Sequence, residues 1–366
     1  MTSTLEIGGS ETKIVNVANA LVKAGYRIAI AYLNPPDTLL ERVDPAVPVT
    51  HLERRGKFSL ESLRRLRRMT EAPNQVVISV NFYPLLYVVP AMRRSLGNKA
   101  ACLINTTDFV CGQWIWGWVY APFLRRCDQL VYGCRYQQTL WTEKYRLPAR
   151  RSRYIYNGVD TAKYSPEEND GRAAGFRSRF GIPMGAVVIG GIGRFAPEKN
   201  FELLIRAVRE LEATGRPAYL ALVGEGAERR RLIAAAREAG LGERAVFPGV
   251  LNDVRDAIAA MDVFVLPSRA VETFSNAALE AMSMARPVVL SNIGGAAEMV
   301  VDGESGWLFD AGDVGWLMRI LTDLYDSPPL RQRMGEAARQ RVVDSFSFES
   351  MIEGYEELIR SLTDVE

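Results

Sequence analysis

At 366 residues, 48% apolar and 24% charged, the chain suits two globular domains with a core each and excludes a disordered or fibrous protein. The longest apolar stretch, Val76–Met92, is broken by Asn81, Pro84 and Pro90, so no membrane span is expected, and no signal peptide opens the chain. Cys102, Cys111, Cys127 and Cys134 lack the close spacing of a zinc site, and the only histidine is His51. Free thiols in a reducing, cytoplasmic compartment follow.

The net charge of +2 conceals a polarity. Residues 1–165 hold 23 Lys/Arg against 12 Asp/Glu, a net +11, and residues 166–366 carry a net −9. A basic first half points to an anionic partner: a phospholipid surface, a lipid diphosphate or nucleic acid.

In chain order, MTSTLEI leads to Gly8 and Gly9, which let backbone approach a ligand closely and can adopt positive φ. A plain turn is the competing reading. A helix over Lys13–Ala24 ends at Gly25, and YRIAIAYL, VVISVNF, AACLIN and QLVYGC read as strands. Strands alternating with helices predict a parallel sheet covered on both faces. After AACLIN comes INTTDFVCG, where Asp108, beside Asn105, Thr106 and Thr107, is the only residue charged at neutral pH. Asp108 can orient or deprotonate a hydroxyl, or equally cap the next helix. The segment Gln113–Arg126 gathers Trp114, Trp116, Trp118, Tyr120 and Phe123 beside two arginines. With the basic runs at Arg64–Arg68 and Ala149–Arg153, it reads as peripheral membrane contact, as an acceptor cleft that stacks sugars, or as core packing.

SPEENDGRAAGF reads as the interdomain connection. The alternation then resumes with AVVIGGIG, AYLALVG, AVFPG, VFVLP and PVVLS. Gly190, Gly191 and Gly193 invite a dinucleotide fingerprint, but Pro197 and charged residues stand where its helix glycine belongs, so a nicotinamide site is rejected. GRFAPEKN sets Arg194 and Lys199 at a strand's carboxyl end, before a helix with Phe201, Leu204, Ile205 and Val208 inward. Two fixed cations there can bind a diphosphate and stabilise its growing charge as a sugar departs. Further on, Glu272 and Glu280 flank a helix start made of Thr273, Phe274, Ser275 and Asn276. Such an N-terminus attracts phosphate, and carboxylates beside it suit hydroxyl groups. The set reads as a nucleotide-sugar pocket; a solvated helix with two ordinary glutamates is the bland alternative. FSFESMIEGYEELIRSL closes the chain as an amphipathic helix.

Taken together, GRFAPEKN, LVGEGAERRRL, VFPG, ETFSNAALE and GESGWLFDAGD, with weaker GGSE and YNGVD, resemble the retaining family 4 glycosyltransferases of the GT-B fold. The resemblance implies an α/β protein of two Rossmann-like, doubly wound parallel-sheet domains facing across a cleft. They would span 1–165 and 166–349, with a helix at 350–366 packing back toward the first. It implies that Arg194 and Lys199 hold the donor diphosphate, and that Glu272 holds sugar hydroxyls. Backbone N–H groups near Phe274, Ser275 and Asn276 would hold sugar and phosphate, Glu280 the ribose, and the Gly8–Gly9 loop would face the phosphates. It implies no cofactor and no metal, with a nucleotide-diphosphate sugar, UDP-linked, as donor. The expected partners are a lipid-linked glycan acceptor and an anionic membrane surface, not nucleic acid.

Two departures stand out. Only seven residues precede Gly8, so the central first strand is expected to be short, with the natural start upstream. The histidine that many relatives carry after the AACLIN strand is missing. A catalytically inactive sugar-nucleotide-binding subunit, or a transferase acting on a soluble acceptor, are the rival functions.

Overall fold

The computed structural model describes residues 1–6, 8–92, 94–105, 115–270 and 272–363. It divides into two compact units, Met1–Tyr156 with Glu349–Glu366, and Asn157–Phe348. This division falls earlier than 165/166, because the residues after Tyr156 are tied to the second unit. Asn157 Nδ2 donates to Phe274 O at 2.9 Å, and Ser283 Oγ donates to Tyr164 O at 2.7 Å.

In the first unit, β1 (Ile30–Tyr32) pairs with β2 (Val49–His51), and β3 (Val76–Val80), β4 (Lys99–Ile104), β5 (Gln129–Tyr132) and β6 (Ser152–Tyr154) form a four-stranded sheet in that order, all parallel. The two sheets are stitched by Met1–Ser3. Thr2 N donates to Ala31 O at 3.0 Å, and Val80 N donates to Met1 O at 2.9 Å. Only Thr2 makes a strand bridge, to Tyr32. The first segment thus fills the central position between β1 and β3, and strand order reverses there.

In the second unit, β7 (Val187–Ile192), β8 (Ala218–Val223), β9 (Ala245–Gly249), β10 (Val263–Leu266), β11 (Val288–Ser291) and β12 (Trp307–Phe309) form one parallel sheet in the order β12-β11-β10-β7-β8-β9. The reversal lies between β7 and β10. The central strands β7, β8, β10 and β11 are nearly continuous buried apolar runs, as a sheet covered on both faces requires, while the edge strands β9 and β12 are partly exposed. The helix Phe201–Ala213 buries the four expected residues together with Leu203, Ala207 and Leu211. Each fully buried large side chain contributes about 1.5–3 kcal/mol. Gly190 and Gly191 serve packing: an added Cβ would lie 2.5 Å from Met261 Cε and 2.8 Å from Val265 O, respectively.

SPEENDGRAAGF is not a loose connection. Ser165 caps a turn at Pro166–Glu168, which runs into the helix Asn169–Arg179. That helix packs on Arg255–Ala260. Arg177, 6% exposed, donates to the carbonyls of Pro183, Ala186 and Ala260 and pairs with Asp262 at 3.1 Å. The polar composition misleads because the buried arginine is satisfied by carbonyls rather than by water.

Candidate functional site

The loops that follow β7, β8, β10 and β11 meet at the carboxyl edge of the second sheet. Gly193 N donates to Val223 O at 3.0 Å and Phe195 N to Glu225 O at 2.7 Å, joining the loops after β7 and β8. Gly226, at φ 152°, packs so closely that a Cβ would lie 2.4 Å from Phe195 O. Arg269 N donates to Glu198 O at 2.9 Å, and so ties in the loop after β10. Gly294, at φ 58°, brings the loop after β11 to where an added Cβ would be 1.8 Å from Glu272 O.

These contacts converge on an ion pair. Lys199 Nζ lies 2.5 Å from Glu272 Oε2, with the two side chains only 19% and 14% exposed. Ser268 Oγ donates to the same carboxylate oxygen at 3.0 Å. The predicted diphosphate cation and the predicted sugar carboxylate therefore hold each other, at the point where strand order reverses and open α/β sheets bind ligands. An ammonium has three protons, so Lys199 can keep Glu272 and still offer donors to a phosphate. Arg194 stands apart from this pair. Its side chain is 72% exposed and meets Glu198 at 2.5 Å.

The helix Asn276–Ser283 begins as expected, with Ser275 Oγ accepting from Ala278 N at 3.3 Å. That hydroxyl is a cap, so what Ser275 offers a ligand is its backbone. Phe274 is buried with its ring edge on Phe346, so its side chain is structural. Asn276 is exposed at the first helical position. Glu280 lies inside this helix, and burial raises its carboxyl to about 7 against the opposing pull of the Tyr164 hydroxyl and the Lys163 charge. Asp253 adds to the rise. The Tyr164 phenol is pushed well up by burial and by Glu280.

In the first unit, Gly8 is extended at φ −158°, so positive φ is not what this glycine supplies. Gly9 opens the helix Gly9–Lys23. Asp108 lies outside the described residues. Cys102, Cys127 and Cys134 are buried, and Cys111 lies outside the described residues. In the aromatic segment, Tyr120 and Phe123 pack on the core that contains Phe82 and Trp141. Trp118 is 42% exposed, edge-on to Tyr145. Trp114 and the Trp116 side chain lie outside the described residues.

Sequence reasoning missed Ser268, Glu198, Asn157 and Tyr164. Asn157 sits within YNGVD, so a motif marked its neighbourhood. Glu198 likewise sits within GRFAPEKN, whereas Ser268 and Tyr164 carry no local signal, since contacts across loops decide their roles.

Comparison with known proteins fits this geometry. The Glycosyltransferase Family 4 model matches residues 7–163, and the model of glycosyl transferases group 1 matches residues 175–341. The lipopolysaccharide core biosynthesis glycosyltransferase LpsE of Rhizobium meliloti is 34% identical over 50% of this chain and 53% of its own length. The GDP-mannose-dependent alpha-(1-6)-phosphatidylinositol monomannoside mannosyltransferase of Mycolicibacterium smegmatis is 30% identical over 72% of this chain and 71% of its own. The chain thus spans about half the length of the first of these relatives and more of the second. The structure of Anabaena HepE in complex with UDP superposes at a TM-score of 0.86 over 98% of both chains, with 20% identity. WaaG, a glycosyltransferase involved in lipopolysaccharide biosynthesis, does so at 0.75 over 100% of both chains, with 16% identity. The two sheets are those of the GT-B fold, and the chain belongs to family 4 of the glycosyltransferases.

Proposed function

We propose that this protein transfers a sugar from a nucleotide diphosphate to an acceptor hydroxyl with retention of anomeric configuration. The observation that carries the reading is the Lys199–Glu272 pair at the strand-order reversal, next to a capped helix N-terminus. In this mechanism the helix N-terminus, Lys199 and Arg194 take the diphosphate, and the cations stabilise its charge as the glycosidic bond breaks. Glu272 accepts hydrogen bonds from sugar hydroxyls, and Ser268 and Lys199 fix its orientation. Glu280 accepts from the ribose hydroxyls. The leaving diphosphate takes the acceptor proton on the same face, so little separate basic help is needed. Asp108 remains the candidate for orienting the acceptor.

UDP-linked sugars are the first donors to test, since HepE was solved with UDP and with UDP-glucose. A lipid-linked glycan in surface-polysaccharide assembly is the proposed acceptor class. LpsE and the mannosyltransferase are named for lipopolysaccharide core and phosphatidylinositol monomannoside, which supports it. Among the described residues no helix is long and apolar enough to cross a membrane. Peripheral contact on the cytoplasmic face is the reading we favour. Exposed Trp118 and Val119 support it, as do exposed Phe58 and Leu60 beside Arg64, Arg67 and Arg68. A thermal-shift screen of nucleotide-sugars against the purified protein tests the donor assignment. Stabilisation by one nucleotide-sugar is expected, and indifference to all of them would refute it.

A further inference from the structure

Next to Glu272, at the carboxyl ends of the neighbouring strands β10 and β11, lies a small cavity. The space that a water centre can occupy there is about 10 Å³, room for a single water molecule. Five of its ten lining residues are polar: Ser268, Glu272, Thr273 and Ser275 after β10, and Ser291 at the end of β11. The other five are apolar, so the polar groups there face one another rather than bulk solvent. None of the functional roles described so far uses Ser291.

Ser291 is 3% exposed, and its Oγ is buried with no hydrogen-bond partner in the protein. Native interiors rarely leave such a group unpaired. The hydroxyls around it are committed elsewhere. Ser268 gives its proton to Glu272 Oε2, and Ser275 Oγ caps the helix by accepting from Ala278 N. Among the described residues, both bonds to the Glu272 carboxylate, from Lys199 and from Ser268, fall on Oε2. Oε1 keeps its capacity to accept, and the Ser291 proton is unspent. One water satisfies both groups, because it can accept from Ser291 and donate to the carboxylate.

We propose that this cavity binds one structural water that links the Ser291 hydroxyl to the Glu272 carboxylate, which makes Ser291 a positioning residue for sugar transfer. The end of β11 and its loop then hold Glu272 twice. Gly294 packs against its carbonyl, and Ser291 reaches its carboxylate through the water. A side chain that binds a reacting sugar works best when its neighbours lock its own rotamer. The inference rests on the proposed role of Glu272 in holding sugar hydroxyls.

A high-resolution crystal structure of the full chain, with hydrolysis of UDP-glucose, UDP-N-acetylglucosamine and GDP-mannose, tests it. Density is expected for one water within hydrogen-bonding distance of Ser291 Oγ and a Glu272 oxygen. A dry cavity overturns the proposal whatever the activity. Ser291→Val and Ser291→Thr add nearly the same volume, so the hydroxyl is what separates them. Ser291→Val should lower kcat on the preferred sugar nucleotide at least ~10-fold, with affinity for the free nucleoside diphosphate held within about twofold. Ser291→Thr should keep most of the parent rate. If Ser291→Val does not fold, Ser291→Ala set against Ser291→Thr makes the same comparison without added bulk, with a severalfold loss expected in the alanine variant. Equal losses with and without the hydroxyl would reduce Ser291 to packing, and parent-like rates in every variant would remove it from the reaction; either result overturns the positioning role. A parent that shows the water yet hydrolyses none of the three sugars and binds neither UDP nor GDP would overturn the donor reading, and the role of Ser291 with it, while the water site stands.

Discussion

The polar edges of the two sheets are built differently. In the second unit, four loops are bolted together by backbone hydrogen bonds and close glycine contacts, and they hold Lys199 against Glu272. In the first unit, the central position is filled by Met1–Ser3 with one strand bridge, and the described polar cluster there is Lys13 with Asn105 and Asn81. A rigid, cross-linked edge suits a ligand part shared by many reactions, such as a nucleotide diphosphate. The looser edge suits the part that varies, the acceptor. Under the proposed function, donor binding in this chain rests on loop packing and acceptor binding on single side chains.

The strongest way to break this contrast is at the ion pair. Lys199→Ala removes a transition-state cation and leaves Glu272 unpaired, so turnover should fall at least ~10²-fold. Glu272→Gln should lower the rate on a similar scale with circular dichroism unchanged, whereas Arg194→Ala, at an exposed and solvent-screened position, should cost less. Parent-like rates in both Lys199→Ala and Glu272→Gln would show the site to be elsewhere. Next in size is Gly294→Ala. It meets Glu272 O and forces a positive φ on alanine, so chemical denaturation should register a loss of about 1–3 kcal/mol or more. A fully stable variant would mean that the loops are not bolted as described.

Smaller still is the pH effect at Glu280. Its folded carboxyl at about 7 lies above the ordinary value of 4.5, so its stabilising contribution is fully present below 4.5 and is lost as pH rises through 7. Ribose hydroxyls favour the ionised form, so donor affinity should be about tenfold weaker at pH 6 than at pH 8. Glu280→Gln should flatten that profile; an unchanged slope in the variant would remove Glu280 from the ribose. The smallest effect concerns the first unit's surface. Binding to anionic vesicles should weaken as salt rises, and Trp118→Ala should weaken it a further few-fold at every salt concentration. Indifference to vesicles at low ionic strength would favour a soluble acceptor.

The strands with the strongest apolar runs, β4, β5, β7, β8, β10 and β11, were legible because both of their faces are buried, and β3 because its run is apolar throughout although partly exposed. The short β2, β6 and β12 were not, since three residues of mixed burial carry no readable period. The helix Asn169–Arg179 was hidden for another reason: its glycines and charges resemble a linker, and only the carbonyls around Arg177 make it a packed element. At the site, Lys199, Glu272 and Glu280 were legible from motif order. The Lys199–Glu272 pairing was not, because residues 73 positions apart meet only through loop packing. Ser268 and Tyr164 escaped notice on the same ground.

Donor hydrolysis without acceptor tests the central claim most directly. Incubated with UDP-sugars, the parent protein should release UDP slowly from at least one of them, and Lys199→Ala should lose at least ~10²-fold of that rate while keeping its fold. Release of UDP at the same rate by parent and variant, or no release and no binding of any UDP- or GDP-sugar by the parent, would contradict it.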